Sequence, residues 1–253
     1  TYDGDRNRTV VWGGSISDVG QRHPQEWTGH RFETRCEGSP LDDSCSNLTA
    51  RQSAELLWHK GDGGVWMVGG CEPLRAGTGN PCVQLTGTVS RFNGEDVQEL
   101  CPSAGCDIAS RIRHRVAYDE KRGHMYLYGG CTDVICNQLA DNVLYRWEGQ
   151  GFKAVQVDSA SRPSARAGGL FTYDPTSDRL VMMGGCDTHV AGICTGDLDD
   201  VWTLSMDDVA AYDAAQAANQ SADLPLWESH VGVAGLPSLT DDMRSMFVPT
   251  DPT

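Results

Sequence analysis

The sequence predicts an all-β protein assembled from a repeated four-stranded sheet, and three observations predict it. The first is composition: 253 residues include 29 glycines, 11 prolines and 7 tryptophans, the mixture of turn formers and broad flat side chains expected of many short strands packed in layers. The second is a Gly-Gly pair that recurs behind a short apolar run, at residues 13–14, 69–70, 129–130 and 184–185, with spacings of 56, 60 and 55 residues. The third is a hairpin signal in register ahead of these runs. The chain is long enough to bury a sizeable core without covalent staples.

Each unit opens with a turn between two strands: Tyr2-Asp-Gly-Asp-Arg-Asn-Arg, Trp58-His-Lys-Gly-Asp-Gly-Gly, Tyr118-Asp-Glu-Lys-Arg-Gly and Tyr173-Asp-Pro-Thr-Ser-Asp-Arg. Asp, Gly, Asn and Pro between apolar runs make tight antiparallel turns. The second strand follows, as Thr9-Val-Val-Trp, Val65-Trp-Met-Val, Met125-Tyr-Leu-Tyr and Leu180-Val-Met-Met, and ends at the Gly-Gly pair. After a variable loop a third strand ends in an aromatic two residues before a glycine, at Trp27, Phe92 and Trp147. That turn feeds a fourth strand such as Phe152-Lys-Ala-Val-Gln-Val. The fourth unit departs from this pattern. Its third strand, Asp200-Val-Trp-Thr-Leu, runs into an alanine-rich segment beginning Met206-Asp-Asp, which predicts a short helix in place of a hairpin turn, before Leu226-Trp-Glu-Ser-His-Val resumes as the fourth strand.

Sheets of this kind each carry an apolar face that only a neighbouring sheet covers, and radial stacking satisfies them all. Here the sequence resembles the Kelch family, whose blades carry Gly-Gly after the second strand and aromatics on the third or fourth. The segment Arg113-His-Arg-Val-Ala-Tyr-Asp-Glu-Lys-Arg-Gly-His-Met-Tyr-Leu-Tyr-Gly-Gly is the nearest match, and the resemblance extends over nearly the whole chain. It implies a β-propeller with blades at about 1–36, 52–101, 113–157 and 166–231. Residues 244–253 would begin a further blade or close the first one. Thr1-Tyr2-Asp3 aligns with Thr172-Tyr173-Asp174, and Met246 to Thr253 with 169–176, so both ends fall in the same phase. A piece of a larger ring is the favoured expectation, and a closed four-bladed ring the alternative.

Ten cysteines, spaced C-x8-C, C-x10-C, C-x4-C, C-x4-C and C-x7-C, exceed what a reducing compartment holds without a metal or redox role. No paired knuckles or histidine pairs accompany them, which disfavours zinc. Pairing of sequence neighbours is the simplest of roughly a thousand schemes: Cys36 with Cys45, Cys71 with Cys82, Cys101 with Cys106, Cys131 with Cys136 and Cys186 with Cys194. Strand alternation puts the loops between second and third strands, and the connections from fourth strand to next first strand, at one end of each sheet. All ten cysteines are therefore expected on one face, where bridged loops would lose freedom before a partner arrives. Protection of long loops in a harsh medium is the simpler use of the same bridges.

Five arginines recur where a first strand starts or the loop before it ends: Arg51, Arg111, Arg113, Arg166 and Arg244. The resemblance implies a position near the mouth of a central channel, as in Kelch domains that bind acidic peptides; pairing with loop aspartates such as Asp107, Asp133 or Asp141 is the structural alternative. Trp27, Phe92, Trp147, Trp202 and Trp227 are expected in the core between sheets. His23, His114, His124 and His189 share no metal-ligand spacing. Asp3-Gly-Asp-Arg-Asn7 lacks the carboxylate a calcium loop needs at its twelfth position and reads as a turn, whereas the acidic patch Asp197-Leu-Asp-Asp200 leaves room for a surface cation. Asn7, Asn47 and Asn219 fit the glycan acceptor pattern.

With 20 basic and 35 acidic side chains, the net charge of −15 opposes nucleic acid and anionic membranes as partners. No apolar run approaches a membrane span, and Thr1 does not open a signal peptide, so the chain reads as mature or excised material. Together these features predict a secreted, extracellular or periplasmic binding module without metal or cofactor, presenting braced loops to a protein, peptide or glycan. Two other classes stay open. One is a Kelch-like oxidase or sugar-acid isomerase with residues on the ring axis, disfavoured because the expected inner strands are mostly apolar or small; the other is a subunit of an extracellular filament or coat.

Overall fold

The computed structural model describes residues 1–16, 19–36, 48–73, 82–102 and 106–230. Cys45, Asn47, Arg244 and the segment 244–253 lie outside the described residues. Along the chain come β1 (Tyr2–Asp3), β2 (Arg8–Val11), a small hairpin of β3 (Ser15–Ile16) and β4 (Val19–Gly20), then β5 (Gln25–Trp27) and β6 (Phe32–Thr34). The next unit holds β7 (Glu55–His59), β8 (Gly64–Val68), the hairpin β9 (Cys71–Pro73) and β10 (Cys82–Leu85), β11 (Val89–Phe92) and β12 (Val97–Cys101). The third holds β13 (Arg115–Asp119), β14 (His124–Tyr128), β15 (Tyr145–Trp147) and β16 (Phe152–Ala154). The last holds β17 (Leu170–Asp174), β18 (Arg179–Met183), the hairpin β19 (His189–Val190) and β20 (Ile193–Cys194), β21 (Val201–Ser205), α1 (Met206–Ala217) and β22 (Trp227–Ser229). The protein is thus all-β, with one helix among the described residues, and is built on four-stranded antiparallel sheets ordered β1-β2-β5-β6, β7-β8-β11-β12, β13-β14-β15-β16 and β17-β18-β21-β22. They are sheets 1 to 4 below.

The turns form for the reasons their residues dictate. At the first turn the Asp3 carboxylate accepts the backbone N–H groups of Asp5 and Arg6 and the Arg6 side chain; Asp119 does the same for Lys121 and Arg122. Both aspartates are fully buried, which these hydrogen bonds make tolerable. His59 replaces the aspartate in sheet 2, where its Nδ1 accepts from the Asp62 N–H at 3.2 Å and its ring stacks on Trp66. The alanine-rich segment is the helix that composition predicts. Ser205 caps it through Oγ to the Asp208 N–H, Asp207 and Asp208 occupy its first turn, and Met206 and Val209 are buried beneath it.

Alternation along each strand sends successive side chains into different layers. On β8, Val65 and Met67 pack with Val10 and Trp12 of sheet 1, while Trp66 and Val68 pack with Val116, Met125 and Leu127 of sheet 3. On β14 the neighbours Tyr126 and Tyr128 face sheet 4, joining Phe171, Leu180, Met182 and Trp227. The sheets therefore stack face to face in chain order, and the first strands β1, β7, β13 and β17 lie in succession beside one another. Of the aromatics expected in the core, Phe92, Trp147 and Trp227 are buried and Trp202 packs against the layer between sheets 3 and 4. Trp27 differs, being 39% exposed, because it lies on the face of sheet 1 that points away from sheet 2.

Candidate functional site

At the Gly-Gly end of each sheet the chain repeats one construction. The cysteine after Gly-Gly forms an isolated β-bridge with a residue of the incoming connection: Cys71 with Gln52, Cys131 with Ile112 and Cys186 with Ala167. Just before each of these partners stands an arginine. The second glycine of one sheet donates its N–H to the carbonyl of the arginine that leads into the next, Gly14 to Arg51 at 2.6 Å, Gly70 to Arg111 at 3.0 Å and Gly130 to Arg166 at 2.8 Å. The guanidinium then turns back onto its own sheet: Arg51 donates to the Thr88 carbonyl and Ser90 Oγ, Arg111 to the Gly129 carbonyl, and Arg166 to the Gly184 carbonyl and both carboxylate oxygens of Asp200. The pair of glycines is required by the fold, since both stand at positive φ and a Cβ on Gly130 would lie 2.6 Å from the Ile112 carbonyl oxygen.

Three of the arginines proposed from sequence are consequently buried staples between sheets. Arg51, Arg111 and Arg166 are 7%, 1% and 1% exposed, and each guanidinium donates to acceptors of its own unit rather than to solvent. Burial lowers the pKa of Arg51 to about 10 and lowers that of Arg111, with nearby acids opposing; both remain cations at neutral pH. Arg111 also lies over the Tyr145 ring, 5.3 Å from its centroid. Arg113 is half-buried, at positive φ, and donates to the Gly192 carbonyl of the β19–β20 hairpin. Arg244 lies outside the described residues. Deeper on the first strands, Arg115 of β13 pairs with Glu55 of β7 and donates to the Gly169 carbonyl. Of the aspartates weighed as arginine partners, Asp141 lies 3.9 Å from Arg111, whereas Asp107 pairs with Lys153.

Among the described residues four disulfides join sequence neighbours: Cys71–Cys82, Cys101–Cys106, Cys131–Cys136 and Cys186–Cys194. The pairing of Cys36 with Cys45 involves a residue outside the described ones. Four bridges fit an oxidising environment, and among the described residues no helix is long and apolar enough to cross a membrane. Cys71, Cys82, Cys131 and Cys136 share one buried cluster with Ile112 and Ala167, the last beside Cys186. Three bridges thus form a continuous row, one in each loop between second and third strands of sheets 2 to 4. Cys101 ends β12 at the Gly-Gly end that strand order predicts, opposite Val89 and hence beside Val68, but the Cys101–Cys106 bridge stands apart from the row. Both residues are buried in the layer between sheets 2 and 3, because the segment after β12 folds back so that the Cys106 carbonyl accepts the Phe152 N–H. This bridge braces packing, while the other three brace loops.

Each braced loop exposes a large aliphatic side chain: Val83 on β10 at 57%, Ile135 at 43%, and Val190 and Ile193 on the β19–β20 hairpin at 61% and 69%. The hairpin leans onto its neighbour, since a Cβ on Gly192 would meet the Ile135 carbonyl at 3.0 Å, and His189 lies with Cys131 and Cys136 in one buried cluster. Oxidised sulfurs present no thiolate to a metal there. The described residues of these three loops include Glu72, Asp133, Asp141, Asp187, Asp197 and Asp199, with no lysine or arginine and no Phe, Tyr or Trp. The aliphatics escape a reading of the sequence because a lone Ile or Val in a loop carries no pattern. The nearest signal is that Ile135, Val190 and Ile193 lie between the two cysteines of a neighbouring pair, while Val83 directly follows Cys82.

No family model matches the chain. Among solved structures it is similar to one titled "Structure of YjhT", at 12% identity and a TM-score of 0.45, over 74% of this chain and 50% of that one. The chain therefore spans half the length of the protein to which it is matched.

Proposed function

We propose that the chain is a Kelch-type β-propeller, or a large part of one, that serves outside the cell as a non-catalytic binding module and engages a protein or peptide through its braced loops. The observation that carries this reading is the row of three bridges, each with an exposed aliphatic side chain inside its loop or, for Val83, beside its cysteine. Exposed Val and Ile on loops that cannot collapse gain free energy when a partner covers them, and the bridges have already removed the ordering entropy. The absence of aromatic rings from the described loop residues favours protein over glycan, since sugars stack on aromatic faces. The acidic surround favours a partner with basic groups and disfavours polyanions. The Kelch reading draws support from the four-stranded sheets, their Gly-Gly pairs and the succession of first strands.

Binding of the immobilised protein to peptide and glycan arrays tests the proposal. Peptide ligands are expected, with affinity reduced at least tenfold in a Val83→Ser, Ile135→Ser, Ile193→Ser variant. Arrays without ligands, or ligands indifferent to the triple substitution, would refute it.

A further inference from the structure

Register shows that sheet 1 has a face made to be covered. In sheets 2, 3 and 4 one row of residues crosses all four strands and packs on the preceding sheet. In sheet 4 it is Tyr173, Leu180, Leu204 and Trp227, consecutive partners across β17, β18, β21 and β22 and all buried against sheet 3. In sheet 2 the same positions hold Trp58, Val65, Phe92 and Val97, the last three buried with Val10 and Trp12 of sheet 1. The corresponding row of sheet 1 is Tyr2, Thr9, Trp27 and Phe32. It is just as aromatic, yet Tyr2 is 53%, Trp27 39% and Phe32 48% exposed, and Val11 beside them is 44% exposed.

The other end of the stack carries the complementary surface. Sheets 1 to 3 each meet the next through an alternate pair on or directly after the second strand, Val10 and Trp12, Trp66 and Val68, or Tyr126 and Tyr128, all buried. Sheet 4 keeps this pair as Val181 and Met183, and here both are only half-buried. Each copy of the chain thus offers one preceding-type face and one following-type face, the two halves of an interface it already makes three times internally.

We infer that a second copy of this chain covers the outward face of sheet 1 with the outward face of its own sheet 4, a head-to-tail contact continuing the internal layers. Such a heterologous contact closes into a ring if the rotation permits and otherwise grows. The contact is independent of the braced loops.

Light scattering after size exclusion, on the whole chain over a concentration series to about 100 µM, tests it. The expected result is a mass above the 27.4 kDa of one chain that falls on dilution. Trp27→Glu and Val181→Glu should each weaken association at least tenfold, with far-ultraviolet circular dichroism unchanged because neither side chain is buried in the protomer. Mixing the two variants restores one intact contact and should give a one-to-one pair that grows no further. A wild type that stays monomeric throughout overturns the inference, as does association indifferent to both substitutions. Loss with Trp27→Glu but not with Val181→Glu would mean that two copies of sheet 1 meet each other, and equally overturns it.

Discussion

Replacing Arg166 with alanine separates a staple from a ligand-binding arginine. The guanidinium makes a bidentate pair with Asp200 at 2.6 and 2.8 Å, donates to the Gly184 carbonyl at 2.9 Å and to the Ser164 carbonyl at 3.2 Å, and is 1% exposed. Truncation leaves the Gly184 carbonyl unpaired in a buried site, a loss of about 1–3 kcal/mol, and strands a carboxylate whose side chain is 21% exposed. Burial by itself would raise the Asp200 pKa, but Arg166 and the Trp202 indole N–H outweigh it and hold the carboxyl below its ordinary value. Together these place the cost at about 3–5 kcal/mol, a fall of about 10 °C in Tm for a chain of this size. Urea unfolding at pH 7 measures it. A depressed carboxyl stabilises above the unfolded carboxylate pKa and ceases to as pH falls through its folded value, so the gap between wild type and variant should narrow toward pH 3. Asp200→Asn on the alanine background should recover part of the loss by removing the stranded charge. A cost under about 1 kcal/mol would refute the staple and return Arg166 to the candidates for ligand contact.

Two further outcomes are expected. His114 is fully buried with Nε2 3.1 Å from the Val68 carbonyl oxygen, and burial, aided by Arg111 and Arg115, lowers its pKa to about 3. The unfolded chain therefore binds a proton between about pH 6.5 and 3 that the folded chain does not, and stability falls with acid across that window; between pH 7 and 5 this residue alone should account for about 2 kcal/mol, a slope that His114→Gln abolishes in urea titrations, while an unchanged slope would contradict a buried neutral imidazole. Gly14 and Gly130 hold the same place in their units, but a Cβ on Gly14 meets nothing within 4 Å, whereas on Gly130 it meets the Ile112 carbonyl at 2.6 Å and the His114 Cβ at 2.9 Å. Gly14→Ala should cost about 1 kcal/mol for its positive φ alone, and Gly130→Ala at least about 3 kcal/mol; equal losses in thermal unfolding would remove the steric distinction.

The repeat was legible because its signals are local. Gly-Gly, the Asp-rich turns and period-two alternation act within a few residues, so they reveal sheets, strand order and even the helix that replaces the last hairpin. Neighbouring cysteines were legible as pairs for the same reason. Burial of Arg51, Arg111 and Arg166 was not, since whether a recurrent arginine faces a channel or a backbone carbonyl depends on the sheet next to it. The exposed aliphatics of the braced loops were likewise invisible until the loops were placed.

By itself the sequence determined the unit: four strands, a diglycine end, and an aromatic row across one face. Only the tertiary structure decided what each unit's faces meet. Trp27 and Trp147 occupy the same place in the repeat, yet one is 39% exposed and the other 8%, because burial belongs to the stack and, among the described residues, no sheet packs on that face of sheet 1. Local chemistry writes the same face into every repeat, whereas the hydrophobic gain from that face exists only where a second surface removes its water.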